Sequence, residues 1–238
     1  MQTNEPARRA TLLPVLARLP QPLALIEVGA SAGLCLMADR YGYDYRRGLV
    51  RPSVDQLDPP VFSCVVNATT PVPTARPRVT WRAGLDLDPV DISDPNQAAW
   101  LEALVWPDQS DRLAKLRTAM RIAAENKPRI VKGDLRTDLA RLAAEAPKNA
   151  TLVIFHTAVL AYFRSQPERK EFARSVMTLC DSWISNESPR VFPMIAARAA
   201  TEGPTGCFLM AVNGVPVRWT DPHGASLDWI SEIPESEG

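Results

Sequence analysis

The residues best suited to chemistry stand where an apolar run ends in a glycine turn, Glu27-Val28-Gly29-Ala30-Ser31-Ala32-Gly33. Glycines at such a point allow a tight strand-to-helix turn and let ligand atoms approach the backbone. The helix expected next offers free N–H groups to polar or anionic ligand atoms. Dinucleotide binding wants G-x-G-x-x-G, but glycine holds only the first and fifth positions here, so that fingerprint fails. The same five residues read literally as G-x-S-x-G, the nucleophile elbow of an α/β-hydrolase esterase. In that reading Ser31 attacks, His223 is the base and Asp181 orients it, in the right chain order. Against it, only residues 1–22 precede the first strand, too few for the upstream strands and oxyanion loop of that fold.

A third chemistry is S-adenosylmethionine binding. Glu27, Gly29 and Gly33 resemble the E-x-G-x-x-x-G turn of class I methyltransferases, with Ala30 and Ser31 between them. The neighbouring strand ends add weight. The second strand ends Gly84-Leu85-Asp86, where a carboxylate can accept both ribose hydroxyls. Asp86 can equally cap the following turn. After the third strand come Asp134 and Leu135, and Asp134 either accepts from an exocyclic adenine amine or caps the next helix. His156 interrupts the fourth strand where a reacting group should sit. An imidazole titrating near ~6.5 can take a proton from an acceptor. The rival reading is a core histidine with both ring nitrogens satisfied. Trp106, at a helix break before Pro107, either stacks on adenine or substrate or belongs to the core.

These residues need a scaffold, and the apolar periodicity supplies one. Thr11–Leu19 suits a short helix, Leu23–Val28 a buried strand, and Ala32–Tyr41 a helix. Proline then breaks the chain repeatedly. Residues about 43–78 read as an inserted ribbon or lid, with a short edge strand at Val61–Val66. Val79–Asp86 is a strand. A helix capped at Ser93 or Asp94 buries Trp100, Leu101 and Leu104, and a second carries Leu113, Leu116 and Met120. Strands at Arg129–Gly133 and Thr151–His156 flank a helix at Leu135–Ala144. Phe172, Val176, Leu179 and Trp183 fall at helical spacing, and Val191–Ala196 returns to strand. Phe208–Val212, Asn213-Gly214 and Val215–Trp219 form a hairpin signal before a last strand at Leu227–Ile230. The expected fold is a single α/β domain over 1–238. It has a mostly parallel sheet, helices on both faces and an antiparallel C-terminal edge, and the likeness of its glycine turn implies a Rossmann-like fold of the class I methyltransferase type.

Composition narrows the class. Of 238 residues, 46% are hydrophobic and 23% charged, as in a packed globular protein. Twenty-seven basic and twenty-seven acidic residues cancel, and no like-charge run favours nucleic acid or an anionic membrane surface. No apolar stretch reaches membrane-spanning length and no secretory leader is evident. Cys35, Cys64, Cys180 and Cys207 lack metal-ligand spacing, so they read as reduced, mostly buried cytoplasmic thiols and no metal is expected. No pattern in the chain bears on oligomeric state.

With these residues assembled, the chain resembles a bacterial family catalogued as a domain of unknown function and considered methyltransferase-like. The likeness is carried by Gln2-Thr3-Asn4-Glu5, Ile26–Gly33 through Tyr41, Gly84–Asp94, Trp100–Pro107, Lys132-Gly133-Asp134, Phe155-His156-Thr157 through Tyr162, and Asp221–Gly224. The family carries no assigned reaction; the glycine turn and the strand-end acids make S-adenosylmethionine the expected cofactor, with a small molecule or a protein side chain as methyl acceptor. Asn4, Glu5, Trp106 and Tyr162 become candidate substrate contacts. Relatives have Asn at the position of Cys35 and a helical region before the Gln2 stretch, so part of a substrate lid is expected to be absent here. Esterase chemistry at Ser31 and a non-catalytic nucleoside-binding module of the same fold remain as alternatives.

Overall fold

The computed structural model describes residues 4–52 and 58–233. Its centre is strand β1 (Leu23–Val28), whose six side chains are all buried. Leu23 and Leu25 join one apolar cluster, while Ala24, Ile26 and Val28 join another on the opposite face. Alternation on a strand buried from both sides is what a continuous apolar run demands. Around β1 stand β6 (Val79–Asp86), β7 (Arg129–Lys132), β8 (Thr151–Thr157) and β9 (Ser182–Glu187), all parallel to their neighbours in the order β7-β6-β1-β8-β9. The order reverses between β1 and β8, which places a crevice at the carboxyl ends of these strands. An antiparallel meander of β10 (Phe208–Val212), β11 (Val215–Thr220) and β12 (Ser226–Trp229) extends the sheet from β9. The molecule is thus a mixed α/β protein with a large, mostly parallel nine-stranded sheet flanked by helices.

On the face of Leu23 and Leu25 lie α1 (Arg9–Leu16), α2 (Pro95–Ala103) and α3 (Ser110–Asn126). Helix α3 buries Leu116, Ala119, Met120 and Ala123, one stripe at helical spacing. Asp94 caps α2 by accepting from the Asn96 N–H. The other face is covered by α4 (Leu139–Ala143) and α5 (Gln166–Met177), and α6 (Pro193–Ala196) packs along β11.

Several elements depart from the sequence expectations. No α-helix follows the glycine turn. Leu34–Arg40 is a kinked 3-10 run instead. Tyr41 and Tyr43 donate their hydroxyls to the carbonyls of Leu34 and Ala38, so these acceptors are taken by side chains. The helix at 135–144 shrinks to α4, because Asp134 and Asp138 organise a turn before it. Trp183 lies on β9 and not on a helix, and 191–196 holds α6 where a strand was expected. Trp100 is 57% exposed and so is not core.

The described part of the proline-rich segment folds as strands and not as a lid. Its β2 (Gly42–Asp44), β3 (Leu49–Val50) and β4 (Val61–Ser63) form a separate small sheet. Tyr41, Tyr43 and Tyr45 are fully buried, alternate residues of one face. Strand β5 (Val65–Val66) then pairs with β12 and covers the edge of the large sheet. Asn67 fastens it there, exchanging hydrogen bonds with the Trp229 backbone at 3.0 and 3.2 Å.

Candidate functional site

The crevice at the strand ends holds a cavity of about 630 Å³, the size of a small-ligand site. Its walls are the residues that follow β1, β6, β7 and β8, with the N-terminal segment Asn4–Arg8 along one side. That segment is held at four points. Asn4 Nδ2 donates to the Ala30 carbonyl at 2.6 Å, the Cys35 thiol to the Glu5 carbonyl at 3.3 Å, and Arg8 Nε to the Pro222 carbonyl at 2.7 Å. The Glu5 carboxylate pairs with Arg112 at 2.5 Å. Asn4 and Glu5 therefore belong to the wall of the cavity.

Gly29 (φ +73°) cannot be replaced without conflict, since a Cβ there would lie 2.4 Å from Val159 Cγ2. Ser31 takes φ +50° without being glycine. Its N–H donates to Asp86 Oδ2 at 2.7 Å, while Asp86 Oδ1 accepts from the Asp88 N–H at 2.9 Å. Asp86 thus lines the cavity and also ties the glycine turn to the end of β6, which agrees with the capping reading. Ala30 and Gly33 are absent from the cavity wall. Ala30 presses on Gly84, and Gly33 on Ile130 of β7.

Asp134 reaches the cavity with Leu135, but its carboxylate is gripped by Arg136 through Nε at 3.0 Å and Nη2 at 2.6 Å. That hydrogen bond holds the Asp134 carboxyl below the usual range. Tyr162, 72% exposed, stands at the rim. Trp106 is equally exposed and is not among the cavity residues.

Glu27 and His156 part company. Glu27 shares the face of Leu23 and Leu25, whereas His156 projects to the opposite face among Phe172 and Trp183. The His156 ring is fully buried. Trp183 Nε1 donates to its Nε2 at 3.0 Å, so Nδ1 carries the proton and donates to Glu187 Oε1 at 2.7 Å. Both nitrogens are engaged, which corrects the expected base: His156 is an anchored core residue. The same Glu187 oxygen accepts from the N–H groups of Val159 and Leu160 at 2.9 and 3.0 Å. His156 and Glu187 together fix the loop that presses on Gly29, including Ala158 at φ +57°.

The hydrolase constellation does not assemble. Asp181 accepts from the Leu152 N–H at 2.7 Å, at the amino end of β8 and so at the far end of the sheet from Ser31. Ser31 Oγ is buried and makes no hydrogen bond, and His223 lies in an exposed turn. Burial, reinforced by Glu27, pushes the Cys35 thiol well up, so it is not a thiolate. Among the described residues no group of His, Cys, Asp and Glu has the arrangement of a metal site, and no helix is long and apolar enough to cross a membrane.

The cavity is lined by the carboxylates of Glu5, Glu27, Asp86, Asp134 and Glu168, against the guanidiniums of Arg8, Arg136 and Arg164. Glu27 is exceptional, because burial pushes its carboxyl up to about 8 against the opposing pull of Arg9 and Arg8. The arginines, Glu168 and the Val159 loop were not singled out in the sequence, where Arg8-Arg9 looks like an ordinary basic pair. Glu187 escaped with the strand that carries it.

A family model matches residues 1–229, nearly the whole described chain. The chain belongs to DUF2332, uncharacterized proteins conserved in bacteria. No curated protein and no solved structure matches it.

Proposed function

We propose that this protein is an S-adenosylmethionine-dependent methyltransferase of Rossmann-like fold, acting on a small-molecule or protein acceptor. The observation that carries the reading is the acid-lined cavity of about 630 Å³ at the reversal point of strand order, walled by the turns after the first four parallel strands. Glu27 and the Gly29–Ser31 turn would hold the methionine portion, Asp86 the ribose, and Asp134 with Leu135 the adenine. Asp86 and Glu168 place carboxylates in the wall, a setting open to a cationic sulfonium ligand, while burial holds Glu27 protonated and Arg112 and Arg136 match Glu5 and Asp134. When bound, S-adenosylmethionine supplies an electrophilic methyl group. The protein's part is to align the acceptor and exclude water, which requires no nucleophile and no acid–base pair. That agrees with an anchored His156 and an unpaired Ser31 Oγ. Asp134 must share its carboxylate between Arg136 and the incoming base.

Ultraviolet crosslinking with methyl-labelled S-adenosylmethionine tests the assignment. Label is expected in peptides spanning 27–33 and 157–164, displaced by S-adenosylhomocysteine. Label elsewhere, or none that the product displaces, contradicts it. Labelling without release of S-adenosylhomocysteine on any acceptor favours the non-catalytic binding module.

A further inference from the structure

Beneath the main cavity lies a second, smaller chamber of about 10 Å³, room for one water-sized atom. The two share Arg8, Glu27, Cys35 and Thr157 as walls, so the chamber lies against the floor of the cavity. Its most unusual member is Arg9. This side chain is 1% exposed, and Nε, Nη1 and Nη2 are all buried without a hydrogen-bond partner. Its guanidinium stacks over the Phe155 ring at 4.7 Å. Across the chamber Glu27 Oε2 is likewise buried and unpartnered. A guanidinium is a fork of five donors with a permanent charge. Leaving all of them unmatched in the interior is among the more unfavourable arrangements a fold can hold.

We infer that Arg9, Arg8 and Glu27 form a carboxylate subsite, in which one oxygen of a ligand carboxylate enters the chamber from the cavity and accepts hydrogen bonds from the Arg9 fork. Several features fit an anionic oxygen better than a cation or an apolar group. Arg8 adds a second positive charge on the shared wall, its Nε already tied to the Pro222 carbonyl. Glu27 stays protonated at neutral pH through burial, so it can donate to the anion and does not repel it. Leu12, Phe155, Ile184 and Met210 make part of the remaining wall apolar, beside Thr157 and Asn186, and their burial strengthens each charged hydrogen bond. The ligand class is a carboxylate, whether a free small acid or the amino-acid end of the larger ligand under the preceding proposal; only the second source rests on that proposal.

The test uses the full chain and two pairs of probes. Formate is compared with formamide by thermal shift. S-adenosylhomocysteine is compared with 5′-methylthioadenosine, which lacks the amino-acid end, by calorimetry. Formate is expected to raise the melting temperature of the wild type while formamide at equal concentration does not. Arg9→Met should abolish the formate response and weaken S-adenosylhomocysteine by about tenfold or more, with 5′-methylthioadenosine unchanged. Without ligand, Arg9→Met should melt no lower than the wild type, since it removes an unmatched buried charge. Should that variant fail to fold, Arg9→Lys keeps the charge without the fork and is expected to lose most of the formate response. Formate stabilisation with no binding of either nucleoside supports the subsite and refutes the nucleoside reading. A wild type that responds alike to formate and formamide, with Arg9→Met binding S-adenosylhomocysteine as well as the wild type does, overturns the subsite and leaves the chamber to water.

Discussion

Burial sets the behaviour of Glu27, which faces Arg9, Arg8, Cys35 and Asp86 yet titrates near 8 in place of its ordinary 4.5. The folded state then holds this proton more tightly than the unfolded chain does. The stability it contributes is complete below about 4.5, declines as pH rises, and is lost above about 8. Glu27→Gln keeps the shape and cannot ionise. The unfolding free energy of the wild type, measured in urea, should therefore fall relative to the variant by a few kcal/mol between those two pH values. Parallel curves would show that Glu27 ionises freely. Gly29 gives a sharper steric case. Gly29→Ala forces a left-handed alanine against Val159 Cγ2 at 2.4 Å, and should destabilise by about 1–3 kcal/mol or more, read as a lowered urea midpoint at unchanged slope. The acids that frame the cavity were legible as residues, since Glu27, Asp86 and Asp134 all end at its wall. What each carboxylate is bonded to was not, because the partners Ser31, Asp88 and Arg136 depend on turn geometry that no spacing reveals.

Strands were more readable than the segments between them. β1, β6, β7, β8, β10 and β11 lie where apolar runs and the Asn213-Gly214 turn put them. β9 was missed because its sequence, Ser182-Trp183-Ile184-Ser185-Asn186-Glu187, is half polar and yet wholly buried. Its polar groups are occupied in pinning neighbours: Glu187 holds His156 and the Val159 loop, and Asn186 takes the Thr220 hydroxyl at 2.8 Å. A strand whose polar residues serve as internal anchors shows no clean alternation. At this scale His156 is a strut between β8 and β9. His156→Leu strips the Trp183 N–H of its acceptor and Glu187 of one donor, and should destabilise by about 2–4 kcal/mol in thermal or urea unfolding. A variant as stable as the wild type would return His156 to the list of reactive groups.

Across the whole molecule, the proline-rich segment closes the far edge of the sheet, and none of its described residues lines the cavity. Proline signalled irregular chain but not its destination, because a pairing such as that between Val65 and Ser226 is set by tertiary packing. The N-terminal segment, bland in sequence, becomes a cavity wall by docking on the glycine turn, α3 and the 221–224 turn. The parallel sheet, the reversal of strand order and the acids at its edge converge on one crevice, where the proposed sulfonium nucleoside would bind. Isothermal calorimetry of the full chain with S-adenosylhomocysteine tests that binding most directly. One site with about micromolar affinity is expected, and absence of heat and of any thermal shift at millimolar ligand would contradict it.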